Sequence, residues 1–239
     1  MPRFFIENPT TNTIVITGDN ASHISKSLRM KVGDDVVICD GKANDYICKI
    51  VKIDYKNVVI KVLKCIKSES EPTIKTHLYQ AMPKSDKFEH IIKKSVELGI
   101  TEITPVLSNR CISRPNSNNI KRKVERYQKI SEQAAKQSGR GIIPKVNPML
   151  SFEDALNEMS KSALAILFYE CGGKSLRNVI ETQKEISFMV GSEGGFEPYE
   201  VEKAKYYNII IGSLGKRILR CETVAPCVLS IIMYCTKNL

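Results

Sequence analysis

At 239 residues with 42% apolar side chains, the chain can bury one large core or two small ones and is no peptide-sized scaffold. Lys+Arg 36 against Asp+Glu 26 leave a formal net charge of +10 without low-complexity runs, so the excess sits on a folded body and suits a polyanion such as nucleic acid. Membrane partners are not expected, because the longest mostly apolar stretch, Val224 to Tyr234, is far short of the ~20 residues that cross a bilayer.

The opening Met1-Pro2-Arg3-Phe4-Phe5-Ile6-Glu7 meets an acid before any apolar run develops, so no secretory leader is expected. Eight cysteines lie scattered without a C-x-x-C pair and read as reduced, mostly buried thiols of a cytoplasmic protein. His23, His77 and His90 stand outside any ligand spacing, and no metal site is expected.

The first seventy or so residues read as strands: Arg3 to Glu7, Thr13 to Thr17, Val36 to Cys39, Tyr46 to Ile53 and Val58 to Val62. Gly18-Asp19, Gly33-Asp34, Asp40-Gly41 and Lys56-Asn57 punctuate them with turn chemistry, and strands so closely spaced predict a small barrel. One helix is expected at Ser22 to Met30, with Ser22 as N-cap. Ser68-Glu69-Ser70-Glu71-Pro72 then suits neither a helix interior nor a central strand, which places a domain boundary between residues 1–70 and 71–239.

Beyond it the period changes. Phe88, Ile91, Ile92 and Val96 form a helical stripe ended by Gly99; a strand follows at Glu102 to Leu107; Ile120, Val124, Tyr127, Ile130 and Ala134 form a longer stripe ended by Gly139. Ser151-Phe152-Glu153-Asp154 reads as a capping box, and Leu164 to Tyr169, Ile186 to Val190 and Asn208 to Ile211 as buried strands, with a helix opening at Pro198. The alternation predicts an α/β fold with a parallel sheet. The last helix, Glu222 to Cys235, is apolar nearly all round, which predicts burial in the core or against another subunit.

Two loops follow predicted strands at the carboxyl edge, where open α/β sheets bind ligands. Gly191-Ser192-Glu193-Gly194-Gly195-Phe196 allows close backbone approach and directs N–H groups at a polar ligand, although a tight turn explains it as well. It matches neither G-x-G-x-x-G nor a P-loop. Ser213 to Thr223 interleaves Leu214, Ile218 and Leu219 with Lys216, Arg217 and Arg220, a composition that walls an adenine-sized ring and presents cations; Glu222 or Thr223 would cap the next helix. A third stretch, Gln137-Ser138-Gly139-Arg140, ends the long helix; Arg140 is a phosphate candidate, while a plain cap accounts for Gly139. Further basic residues, Arg3, Arg29, Lys84, Lys87 and Arg110 among them, fit a phosphate-neutralising surface or simply solvated faces.

Taken together, Arg3-Phe4-Phe5, His23-Ile24, Leu28 to Asp34, Asp40-Gly41, Glu97-Leu98-Gly99, Gln137-Ser138-Gly139-Arg140 and the two loops resemble, in order and spacing, the RsmE family of SPOUT-class methyltransferases. These modify N3 of one uridine near the 3′ end of bacterial 16S ribosomal RNA. The chain departs from the family's pattern at Lys136, at Ser192 in place of proline, and at Cys221 in place of threonine. The resemblance implies a PUA-like RNA-binding barrel, a C-terminal α/β domain with a trefoil knot, bound S-adenosylmethionine, a homodimer, and 16S rRNA, within the 30S subunit, as partner. It further implies a cofactor pocket lined by Leu167, Phe168, Glu170, Gly191, Glu193, Gly194, Gly195, Leu214, Gly215, Ile218, Leu219, Glu222 and Thr223. Arg3, Arg29, Lys84, Lys87, Arg110 and Arg140 become the residues expected to position RNA.

A sulfonium methyl donor is already activated, so the expected work is alignment and stabilisation of the charge left when uracil N3–H ionises. Arg220 is the first candidate for that stabilisation, ahead of a partner subunit's arginine or Arg3. Glu193, Glu222 and water remain open as proton acceptors. Two other readings stay beside this one: an enzyme of the same fold acting on another RNA acceptor, and a non-catalytic RNA-binding protein.

Overall fold

The computed structural model describes residues 1–9, 12–54, 56–114, 117–175, 180 and 183–239. They form two compact units, Met1–Glu71 with Ala135–Ile143, and Pro72–Ala134 with Pro144–Leu239. The first break between them falls after Glu71, and residues 135–143 group with the first unit.

The first unit holds β1 (Arg3–Phe5), β2 (Thr13–Ile16), α1 (Gly18–Ser22), β3 (Asp35–Cys39), β4 (Asn44–Ile53) and β5 (Val58–Lys67). Its sheet runs β1-β3-β4-β5-β2, with β1 parallel to β3 and the other pairs antiparallel. Alternation turns Ile14, Ile16, Val36, Ile38, Cys48, Ile50, Val58 and Ile60 into one core with Phe4 and Ile24. The helix differs from expectation. It starts at Gly18, with Thr17 rather than Ser22 at the N-cap, and continues as a wide π-turn over His23–Ser27 in which Leu28 N–H donates to His23 O. Arg29 follows at φ 52, which ends the helical path.

Arg140 belongs to this unit's interior rather than to a phosphate surface. It is only 3% exposed; its Nε and Nη2 donate to the Glu71 carboxylate at 3.0 and 2.7 Å, and the Gly141 and Ile142 amides donate to the same carboxylate. The same buried pairing accounts for Arg3, whose Nη1 and Nη2 fork onto Asp45 at 2.8 and 2.9 Å.

The second unit holds β6 (Lys75–Ala81), α2 (Lys87–Glu97), β7 (Glu102–Leu107), α3 (Ser117–Ser138, whose last turn joins the first unit), β8 (Lys145–Val146), β9 (Leu150–Ser151), α4 (Phe152–Met159), β10 (Ala165–Phe168), β11 (Glu185–Val190), α5 (Pro198–Tyr206), β12 (Ile210–Gly212) and α6 (Cys221–Cys235). The strands pair in parallel in the order β12-β10-β11-β6-β7-β8, with β9 also on β7. β6, near the middle of the sheet, escaped the sequence reading because Thr76 and Gln80 are polar yet buried. Ser151 caps α4 as expected, its Oγ accepting from Asp154 N–H at 3.1 Å. α6 buries Cys221, Ala225, Val228, Leu229, Ile232 and Met233 and packs on α2 and β11; Tyr234 is 75% exposed, so the helix is one-sided in this chain.

Candidate active site

In chain order the sheet is laid outward from β6 to β7 and β8, then restarts on the other side with β10, β11 and β12. Neighbouring strands β6 and β11 therefore mark the switch point at which α/β sheets open a crevice. The chain leaves β10, β11 and β12 at their carboxyl ends on adjacent strands, and the three exits line one cleft of about 500 Å³. That volume lies within the range of small-molecule sites.

Phe168, Leu214, Ile218, Leu219 and Val224 give the cleft apolar walls; Gly191 to Gly195 and Gly215 give it exposed backbone; Glu170, Arg217 and Arg220 give it charge. Of the expected cofactor residues, Phe168, Glu170, Gly191, Glu193, Gly194, Gly195, Leu214, Gly215, Ile218 and Leu219 line it. Leu167 does not: the alternation of β10 turns it into the core, fully buried. Glu222 and Thr223 also lie outside the lining, because the cleft meets α6 at Arg220, Cys221 and Val224. Val190, Tyr169, Ser192, Arg217, Cys221 and Val224 join the lining beyond the residues expected to hold the cofactor. Each is a sequence neighbour of an expected residue.

The glycine loop needs its glycines. Gly195 adopts φ +66, and a Cβ there would stand 2.5 Å from Glu170 Oε1; one on Gly191 would meet Gly195 Cα at 3.1 Å. The loop closes on itself through Gly195 N–H to Ser192 O at 3.0 Å.

Side chains from elsewhere clamp it. Gln80, at the end of β6, donates through Nε2 to Gly191 O at 3.0 Å and to Ala81 O at 3.0 Å, with Val190 O at 3.4 Å. Its own Oε1 is buried and has no partner among the described residues, an arrangement that marks a side chain held for what its amide NH₂ does. Glu193 accepts from Lys84 N–H and is bridged by Lys87 Nζ at 3.0 Å, and the same Nζ reaches Glu222 at 3.3 Å. Arg110 donates to Gly194 O at 2.9 Å and pairs with Glu197. Lys87 and Arg110, expected on RNA, are thus tied to the loop and to α6, and Lys84 contributes its backbone to it.

This network sets the local charges. Burial opposes ionisation of Glu193, but its own amide, Lys87 and Lys84 together hold its carboxyl below the usual range. Glu222 is held low first by its own backbone N–H, then by Cys221 and Lys87. Burial, reinforced by Glu222, pushes the Cys221 thiol up to about 12, so it is an inert wall. Arg220 stands exposed at the N-cap of α6, at the mouth of the cleft.

Fold and cleft define a class: a parallel α/β domain that takes a small ligand across its strand ends, attached to a β-sheet module. Comparison with known proteins narrows it. Residues 69–233 match a family model described as an RNA methyltransferase domain, and residues 16–63 one described as an RNA methyltransferase PUA domain. A protein named ribosomal RNA small subunit methyltransferase E from Bacillus subtilis is 30% identical, with all of this chain and 98% of that one aligned; its namesake from Mesomycoplasma hyopneumoniae is 31% identical over 94% of this chain and 96% of its own. The crystal structure of the Neisseria gonorrhoeae namesake bound to S-adenosyl methionine superposes with a TM-score of 0.91 at 28% identity, covering 98% of this chain and 97% of that one. The chain belongs to the ribosomal RNA small subunit methyltransferase E family.

Proposed function

We propose that the protein transfers a methyl group from S-adenosylmethionine to N3 of a uridine in 16S ribosomal RNA, acting in the cytoplasm as a homodimer, with its C-terminal chain threaded as a trefoil knot. The observation that carries this reading is the cleft shared by the exits of β10, β11 and β12, with a guanidinium at its mouth. The fit of the cofactor rests on the lining: apolar Phe168, Leu214 and Leu219 suit a purine ring, and the glycine backbone suits the polar edge and amino-acid portion. When bound, that cofactor supplies an activated methyl group.

The chain's own residues do the rest. The clamped loop holds the donor pocket rigid, so reacting atoms meet in one geometry. The uracil N3–H lies on the pairing edge, so the target base is taken unpaired. Arg220 stabilises the negative charge that spreads onto the uracil oxygens as N3 ionises. Glu193 and Glu222 are weak bases, held ionised and hydrogen-bonded by their neighbours, which leaves water as the proton acceptor.

Replacement of Arg220 by alanine tests this. Turnover on small subunits is expected to fall about 100-fold while calorimetric cofactor affinity stays nearly constant. An unchanged rate removes Arg220 from the reaction. Mapping of the methyl group to uracil N3, on subunits and on free RNA, decides the acceptor; a mark on a ribose hydroxyl would overturn it.

A further inference from the structure

On the face of the first unit's sheet turned away from the core, one lysine opposes another. Lys49 of β4 stands directly across from Lys61 of β5, and Lys61 in turn lies across from Thr13 of β2. One step along, Lys64 faces Ile47, the residue two before Lys49; at the other end, Lys52 faces Val59. All four lysines are exposed, whereas the alternating Cys48, Ile50, Val58 and Ile60 are buried. Like charges across an antiparallel register destabilise a sheet, so local folding gives no reason for this pairing. Acids offset it only in part: Asp35 reaches Lys49 at 3.5 Å and Asp54 reaches Lys52 at 2.9 Å, while Lys61 and Lys64 have no ion pair among the described residues. Val15, opposite Val59 on the same face, is 57% exposed, which adds an apolar surface beside the cations.

We infer that this outer β4–β5 face docks the phosphate backbone of the RNA substrate. The inference rests on the methyltransferase reading and gives it an RNA-binding surface to replace the one expected of Arg3 and Arg140, whose guanidinium groups are committed to Asp45 and Glu71. Four lysines on one face, two directly opposed, match the negative charges of a nucleic-acid backbone and carry no base-reading geometry. The surface therefore positions RNA without choosing the target base.

The experiment uses the full chain with Lys61→Glu, which converts a repulsive cross-strand pair with Lys49 into an attractive one. The melting temperature is expected to hold or rise, and calorimetric S-adenosylmethionine affinity to stay unchanged. The affinity for 16S ribosomal RNA is expected to fall about tenfold, with the log–log salt dependence shallower by about 0.7–0.9 for each phosphate that is no longer neutralised. Lys64→Ala, outside that lysine pair, serves as a second variant and should weaken RNA binding in the same direction. A folded Lys61→Glu chain with undiminished RNA affinity and an unchanged salt slope overturns the proposal. So does a loss shown only toward an acidic protein and not toward RNA. Failure of the unsubstituted chain to bind S-adenosylmethionine would instead strike the methyltransferase reading, and the two failures are read in separate measurements.

Discussion

Gln80 shows how a residue far in sequence from a ligand loop governs it. Its amide holds Gly191 O and Ala81 O at 3.0 Å each, inside the sheet. Gln80→Leu would leave those carbonyls without that donor, and each buried unsatisfied group costs roughly 1–3 kcal/mol. Cofactor affinity measured by calorimetry is expected to drop at least tenfold, with a smaller change in the affinity for RNA; equal affinity would show that the loop holds itself. Gly195→Ala acts more directly, since its Cβ would press on Glu170 in a left-handed conformation. It is expected to weaken cofactor binding with little change in the melting temperature, because the loop lies at the rim of the core. The sequence exposed Gly195 through the Gly-Gly pair, but Gln80 gave no signal: a polar residue in a strand announces solvent, and only the partners supplied by β11 make it an interior residue. Arg140 misled for the same physical reason in reverse, since a cation in a loop reads as solvated until a buried carboxylate is found beside it.

Among elements, those with strong periodicity or a cap were legible, and those defined by their partners were not. α2, α3, β7, β11 and α5 follow from stripes, β-branched runs and a first-turn proline. β8 and β9 are two residues each and exist as strands only because β7 offers them an edge. The π-turn after α1 could not be read either, because a wide turn is fixed by what it packs on rather than by propensity. Gly99 links α2 and α6: at φ +93 its missing Cβ leaves room for Met233 Cε, which would lie 3.2 Å away, and for Pro72. Gly99→Ala is expected to destabilise the chain by about 1–3 kcal/mol in urea titrations, through strain at a positive φ and crowding of that methionine. A loss below a few tenths would mean that α6 simply shifts.

For the whole molecule, pH acts through a half-buried imidazole. His77 on β6 contacts Thr104 Oγ1 at 2.7 Å and stacks on Tyr79, with Asn147 beside it. Burial lowers its pKa to about 4 against 6.5 in the unfolded chain, Glu102 opposing and Lys145 adding to the effect. The folded state thus prefers the neutral ring: stability is full above pH 6.5, falls as pH drops toward 4, and levels off below. Glu193, Glu197 and Glu222, all held low, remove further stability at the acid end of that window. Melting curves between pH 7.5 and 4 are expected to show a steady decline that His77→Gln flattens; an unaltered slope would assign the decline to the carboxylates alone.

The helix shared between the units bears on how the protein is made. Glu71 closes the first unit only when Arg140, Gly141 and Ile142 arrive to satisfy it, and those residues are synthesised after β6, α2, β7 and all of α3. A ribosome releasing the chain from its N-terminus therefore emits a sheet that must wait, one carboxylate unanswered, for a segment some seventy residues behind it. A gene fragment cut at the serine-rich connector would strand that sheet in the same unfinished condition.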